Sequence, residues 1–313
     1  MAQLTNEELA GIAHDYYLSK LNIADISQKY NLSRYLITKA LEEAEEKGIV
    51  HISINHGVKR NEELERKLQK LFSLKEVIVL NNLDTTNQDN EAIVSFAAKE
   101  IQSYLKSSKS AGMTWGTLMR DIINNFQEKK QPDLTFVQLL GQPINSDKRK
   151  SPLVQLAAEK YQSKCLLLPA PLYILNPAFI TEVQKEPFYQ SLQEQYNNLD
   201  VIFSGVGTYE AFSTNKYVHK YYQKPLFQNV DTHKIAGMIF GRPFDIDGNF
   251  LGDFNQHVCG ISLEDILKTP IRFLVVKNRF KTAALLGALR TGVVTNLVTN
   301  EGIAKRILQE SKK

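Results

Sequence analysis

Cysteine is nearly absent, with Cys165 and Cys259 the two thiols in 313 residues. Two thiols make neither a disulfide framework nor a metal cluster, so both are expected to be structural, Cys165 within an apolar, strand-like run. Long hydrophobic runs are missing as well. Cys165 to Leu168 and Phe273 to Val276 are among the longest, and a membrane helix needs about 20 residues. The opening MAQLTNEELA has neither a basic start nor an apolar signal core, which predicts a cytoplasmic location without a membrane partner. The six histidines share no ligand spacing on any one element, so neither a metal nor any other cofactor is expected. Internal repeats and low-complexity tracts are absent. A strong charge imbalance is absent too, since the net charge is only +4. The first sixty residues hold seven cations (Lys20, Lys29, Arg34, Lys39, Lys47, Lys59, Arg60) against eight anions (Glu7, Glu8, Asp15, Asp25, Glu42, Glu43, Glu45, Glu46). Charge alone does not suggest nucleic acid.

What is present is an ordinary globular composition, 43% hydrophobic and 23% charged, long enough for roughly two domains. The first recognisable unit runs from Asn22 to Gly48. Asn22 and Ser33 each have the residue type of a helix N-cap and Gly48 supplies a stop. Ile23, Ile26 and Tyr30 share one face of a first helix, Asn31 and Leu32 make a turn, and Ile37, Ala40, Leu41 and Ala44 form the inner face of a second. That pattern leaves Ser33, Arg34, Tyr35, Thr38 and Lys39 at the outward N-terminal end of the second helix, the end that enters the major groove in a helix-turn-helix. Arg34 and Lys39 suit guanine edges or phosphates, Thr38 base or backbone, and Tyr35 a phosphate and its sugar. Its acids are confined to its last half, away from the expected contact. Taken alone, the pair is equally compatible with two amphipathic helices that merely pack together. Two flanking features favour recognition of double-stranded DNA. Thr5 and Glu8 have the spacing of a capping box that opens a preceding helix with Leu9, Ile12, Ala13 and Tyr16 inward, and Ile49 to Asn55 alternates like one strand of a wing. The first domain is therefore expected over residues 1–55.

A linker follows, then the helix NEELERKLQKLF, whose Leu64, Leu68, Leu71 and Phe72 make one apolar stripe that can dock on the next domain or pair with a copy of itself. From Val77 onward, short apolar runs alternate with amphipathic helices, which predicts an α/β domain with a mainly parallel sheet over residues 56–313. Strands are expected at Val77 to Leu80, Leu134 to Leu139, Cys165 to Leu168, Val201 to Ser204, Ile271 to Val276 and Asn296 to Thr299. Helices are expected at Leu153 to Tyr161, Phe188 to Tyr196, Lys281 to Arg290 and Glu301 to Glu310. The stretch Ala111 to Thr117 is read as a turn leading into a helix from Leu118. Ligands of open α/β sheets bind at the carboxyl ends of the strands, and two glycine loops qualify. Gly112 to Thr117 combines glycines with the hydroxyls of Thr114 and Thr117 at a helix start, and Gly205-Val206-Gly207-Thr208 follows a strand directly. Each loop can equally be a tight strand-to-helix turn. Together they favour a phosphate or sugar-phosphate pocket.

The order of the helix pair, MTWGT, VQLLG, LPAPL, DVIFSGVGT, GRPFDIDG and KTAALLGALRTGVVTNLVTNEGIA resembles the SorC family of bacterial sugar-responsive transcriptional regulators across nearly the whole chain. The resemblance implies an N-terminal winged helix-turn-helix. It also implies an effector domain similar to glucosamine-6-phosphate deaminase and ribose-5-phosphate isomerase, one that binds a phosphorylated sugar, controls operator affinity and assembles as a homodimer or homotetramer. It assigns Thr114, Trp115, Gly116 and Thr117 to the phosphate-side loop, Gly205 and Gly207 to a second pocket loop, and Lys281 to the substrate phosphate, with Gln138 and Asp245 on segments that line the sugar.

Three departures qualify the resemblance. Lys277 and Asn278 replace a common double glycine, Met238 stands where an aspartate is common, and Leu140 stands where one member of the family offers a lysine able to form a Schiff base. Covalent capture of an aldehyde by that route is therefore not expected. The altered residues also motivate a reading in which the second domain only assembles copies of the chain. An isomerase or deaminase needs a general base beside the sugar carbonyl. Asp245, Asp247 and Asp253 are the candidates, but DIDG reads equally well as a polar turn, so no enzyme is expected.

Overall fold

The computed structural model describes residues 4–50, 59–142, 152–214 and 216–312. The chain divides into two compact units, Met1–Asn55 and His56–Lys313. Each has its own core.

The first unit holds three helices, α1 (Asn6–Tyr17), α2 (Ile23–Tyr30) and α3 (Arg34–Glu46). Side-chain oxygens cap all three: Thr5 and Glu8 cap each other's backbone, Asn22 accepts from the Asp25 N–H, and Ser33 accepts from the Leu36 N–H. Such caps satisfy N–H groups that the helix itself leaves without acceptors. Asn31, in the left-handed region at φ 52°, ends α2. Leu9, Ile12, Ala13, Ile26, Ile37, Ala40, Leu41 and Ala44 interlock as the core. Asp15 is buried beneath this layer and accepts from Lys29 Nζ at 2.7 Å. Ile49 and Val50 pack against the same core outside any strand. The rest of the expected wing, from His51, lies outside the described residues.

The second unit is built on a seven-stranded sheet. Its strands are β1 (Glu76–Leu80), β2 (Ser110–Met113), β3 (Thr135–Gln138), β4 (Lys164–Leu166), β5 (Val201–Ser204), β8 (Ile271–Val275) and β9 (Asn296–Asn300), while β6 (Gly237–Ile239) and β7 (Arg242–Phe244) form a separate antiparallel hairpin. The spatial order is β1-β9-β8-β5-β2-β3-β4, and every neighbouring pair in it is parallel. Alternate strand residues feed two cores. Ile202, Leu274 and Leu297 face one layer, and Phe203, Phe273, Val275 and Val298 face the other. Burial on both faces explains why these strands read as continuous apolar runs. The first layer holds the helices Glu62–Phe72, Pro187–Asn197, Thr282–Arg290 and Glu301–Glu310, and the second holds Thr86–Leu105, Thr117–Asn124 and Leu153–Tyr161. Leu64 and Leu68 of the stripe helix are buried in the first layer and Phe72 packs beside them, so the stripe docks on the α/β unit; Leu71 stays half exposed.

Two elements differ from the sequence-based expectation. Ala111 to Met113, read as a turn, belongs to β2, a central strand whose Gly112 lies where a Cβ would come within 2.6 Å of the Leu139 side chain. The second is the β6–β7 hairpin, which turns on Phe240 and Gly241, both at positive φ (49° and 75°). Two consecutive residues at positive φ are the signature of a type I′ turn, normally announced by Asn-Gly.

Candidate functional site

From β2 the chain steps to β3 and β4 on one side, then returns to β5 on the other side of β2 and continues to β8 and β9. The reversal between β2 and β5 is the topological switch point, where the loops beyond the carboxyl ends part and leave a crevice. Both glycine loops open there. Met113 and Phe203 are register partners, and the Thr114 N–H donates to the Phe203 carbonyl at 3.4 Å, so the two loops leave the sheet side by side.

On the β2 side, Thr114 is buried, Trp115 is half-buried with its indole N–H donating to the Gly141 carbonyl at 3.0 Å, and Thr117 is exposed. Gly116 caps the helix Thr117–Asn124 without any side-chain hydrogen bond, at φ 146°, a conformation suited to glycine. A Cβ there would meet nothing within 4 Å, so no neighbouring atom crowds this residue. On the β5 side, Gly207 exchanges two backbone hydrogen bonds with Met238 of the hairpin, at 2.8 and 2.9 Å. Met238 itself is buried.

Lys281 also lies on the β5 side. It precedes the helix Thr282–Arg290 and donates from Nζ to the Val206 carbonyl at 2.7 Å. Among the described residues no carboxylate lies within ion-pair distance of this half-buried ammonium. Burial, and secondarily the charge of Lys277, hold its pKa below the ordinary lysine value. Lys277, after β8, pairs with Asp121 of the helix Thr117–Asn124 at 2.9 Å. Asp121 carries no sequence signature and was not among the expected site residues. Its role emerges only because the sheet order brings the β8 and β2 loops to the same edge.

Two expected residues are engaged elsewhere. Gln138 is buried and donates from its side-chain amide to the Leu140 carbonyl at 2.7 Å, while its backbone carbonyl accepts from the Tyr196 hydroxyl. The Asp245 carboxylate accepts from the Asp247 and Asn249 N–H groups and from the Asn249 side chain, at 2.8 to 3.0 Å, closing its own turn. Burial raises its pKa, and these hydrogen bonds together outweigh that and lower it. That turn rests on Gly287 and Arg290, toward the far end of the helix that Lys281 opens. At 1.5 Å rise per residue, Gly287 lies about 9 Å along the axis from Lys281. A separate cleft of about 790 Å³, lined by Arg60, Glu65, Glu76, Tyr104 and Asn296 among others, opens at the amino ends of β1 and β9, the opposite edge of the sheet.

In the first unit, Ser33, Arg34, Tyr35, Thr38 and Lys39 are all exposed, Tyr35 with 68% of its surface. The Thr38 hydroxyl donates to the Arg34 carbonyl at 3.1 Å and Lys39 lies 3.4 Å from Glu42. Arg34 has no ion pair among the described residues. Among those residues, too, no cluster of three or more His, Cys, Asp or Glu suits a metal, and no helix is long and apolar enough to cross a membrane.

A doubly covered parallel sheet with glycine loops at its switch point defines an α/β domain of the kind that binds ligands at such a crevice. Residues 56–309 match the family model described as "Putative sugar-binding domain", and the chain belongs to that sugar-binding domain family, the one found in SorC-type transcriptional regulators. It is 24% identical over 304 residues to the sorbitol operon regulator of Klebsiella pneumoniae, covering 95% of this chain and 96% of that protein. It is also 24% identical over 301 residues to the deoxyribonucleoside regulator of Bacillus subtilis, covering 94% and 95%. Among solved structures, the full-length Klebsiella regulator superposes with a TM-score of 0.69 over 97% of this chain and 99% of that one, at 24% identity. A transcriptional regulator from Streptococcus pneumoniae gives 0.73 over 80% and 97%, at 22% identity. These likenesses establish the α/β fold.

Proposed function

We propose that this protein is a DNA-binding transcriptional regulator of a carbohydrate-utilisation operon, with operator affinity controlled by a phosphorylated sugar bound at the switch point of the second unit. The observation that carries the effector half is Lys281. A half-buried ammonium with a carbonyl oxygen but no carboxylate among the described residues is incompletely compensated, and it lies at the crevice where the N-terminus of the helix Thr117–Asn124, without a side-chain cap, also favours an anion. Thr114, Trp115, Gly116, Thr117, Gly205 and Gly207 supply the walls.

The output half rests on α2 and α3, which we read as a helix-turn-helix, winged by the segment after Gly48, with Arg34, Tyr35, Thr38 and Lys39 toward DNA. The names of the relatives, a sorbitol operon regulator and a deoxyribonucleoside regulator, support both halves. Likeness of the second unit to glucosamine-6-phosphate deaminase and ribose-5-phosphate isomerase belongs to this proposal, as does assembly into a homodimer or homotetramer. Catalysis does not, since the relatives are named as regulators and Asp245, one of the three candidate bases, is committed to its turn.

Thermal denaturation against a panel of sugar phosphates tests the effector half, since a ligand that binds only the folded state raises the melting temperature by mass action. A shift with one or more of them, lost in Lys281→Met and accompanied by altered operator binding, is the expected result. No shift with any, together with unchanged operator binding, overturns it. The Lys277–Asp121 ion pair favours one second reading, in which the crevice is internally neutralised and the unit serves only assembly; a chain that oligomerises and binds operator DNA without responding to any sugar phosphate fits that reading.

A further inference from the structure

The Lys277–Asp121 pair crosses the crevice. In the sheet order β5 lies between β8 and β2, so a bond from the residue after Val276 to the helix after β2 spans the carboxyl end of β5. Lys281 opens a helix of one layer, while Asp121 belongs to a helix of the other. Both partners are sheltered, with side chains 20% and 35% exposed. Lys277 is also near enough to Lys281 for the two charges to act on each other. The crevice thus holds two ammonium groups, one with a carboxylate partner and one without such a partner among the described residues.

We propose that Lys277 is a second anion-binding group of the crevice, selecting a ligand that carries a dianionic phosphate, and that Asp121 occupies it until that ligand binds. This rests on the reading of the crevice as a sugar-phosphate site. A phosphate placed at the N-terminus of the helix Thr117–Asn124 shares the crevice with the ammonium groups of Lys281 and Lys277. Binding exchanges the single negative charge of the Asp121 carboxylate for a phosphate bearing up to two. A neutral sugar offers Lys277 nothing in exchange and leaves the pair closed. The same exchange frees Asp121, and with it the first turns of its helix, from the loop after β8.

The test is calorimetric titration of the full-length chain with inorganic phosphate, comparing wild type with Asp121→Asn, Lys277→Met, Lys277→Gln, Lys281→Met and the double variant Asp121→Asn/Lys277→Met. Circular dichroism confirms that each is folded. Asp121→Asn removes the competing charge and is expected to bind phosphate about two- to fivefold more tightly, the range for one partly screened ion pair. Lys277→Met and Lys277→Gln are expected to bind about two- to fivefold more weakly. The double variant is expected to match Lys277→Met, because without the ammonium there is nothing to compete for. The proposal is overturned if Asp121→Asn binds no more tightly than wild type, or if its gain persists in the Lys277→Met background. Binding that is lost in Lys281→Met but indifferent to positions 121 and 277 overturns this inference alone. No phosphate binding by wild type or any variant removes the sugar-phosphate reading and this inference with it.

Discussion

Lys281 Nζ stands 2.7 Å from the Val206 carbonyl oxygen, tying the start of one helix to the loop behind β5. The ammonium pays for that position with a pKa depressed below 10.5, by burial first and by Lys277 second. Between the depressed value and 10.5 the unfolded chain binds the extra proton, so stability rises with pH across that window. A bound anion reverses the preference. Phosphate affinity is therefore expected to fall as pH rises through the depressed value, before the ordinary lysine range is reached. Lys281→Arg stays protonated and is expected to extend binding to higher pH. Titrations from neutral pH to about 10 distinguish the two, and identical profiles would refute the assignment.

At the other end of the chain, Arg34→Ala and Lys39→Ala are each expected to weaken operator binding by about 1–3 kcal/mol where the side chain reads a base edge, or to reduce the salt slope by about 1 where it meets a phosphate. Folding stability should change by no more than about 0.5 kcal/mol, because both side chains are exposed and the Lys39–Glu42 pair is more than half exposed on each side. Gel-shift titrations at several salt concentrations measure both effects. Unchanged affinity in both variants would mean that α3 is not the recognition helix.

Gly260 sits at φ 146°, where an added Cβ would lie 2.3 Å from the Leu139 carbonyl oxygen. Its neighbours hold the strand extension after β3, through Gly141 N–H to Cys259 carbonyl at 2.9 Å and Ile261 N–H to Leu139 carbonyl at 2.8 Å. Strain and clash fall on backbone, which has little freedom to yield. Gly260→Ala is expected to cost more than about 2 kcal/mol of stability, read by urea denaturation. A loss under about 0.5 kcal/mol would show that this strand extension relaxes freely.

Asp245 gives a separate pH signature. Its pKa is lowered in the fold, so its contribution to stability is present above the unfolded value of 3.8 and fades as pH falls through the folded value. Asp245→Asn is expected to lose under about 1 kcal/mol at neutral pH, the site being partly open to solvent, with the difference vanishing in acid. Thermal melts across that range check it. A deficit that persists undiminished in acid would mean the carboxylate is not what holds the turn.

Local chemistry made much of this architecture legible. The Ser33 cap, the Ile23–Tyr30 helix and strand β5 fall where capping residues and apolar periodicity place them, because each is decided by neighbours in sequence. Strand β2 escaped because Ser-Ala-Gly-Met has little bulk of its own; neighbours on both sides make it a strand. The β6–β7 turn escaped because Phe240 adopts a conformation usually announced by asparagine or glycine. In the crevice, the glycine loops were readable from their positions after strands, whereas Lys281 was singled out by the family resemblance alone. The Asp121–Lys277 pair was not readable, since 156 residues separate its members and only the sheet order joins them.

Trp115 is the single tryptophan of the chain, and it stands in the loop after β2 with its indole N–H anchored on Gly141. All indole fluorescence therefore originates at the rim of the crevice. The protein carries its own optical reporter: emission collected on exciting this one ring follows that loop without a label, and a quantum-yield change on adding a sugar phosphate would read occupancy directly in the unmodified chain.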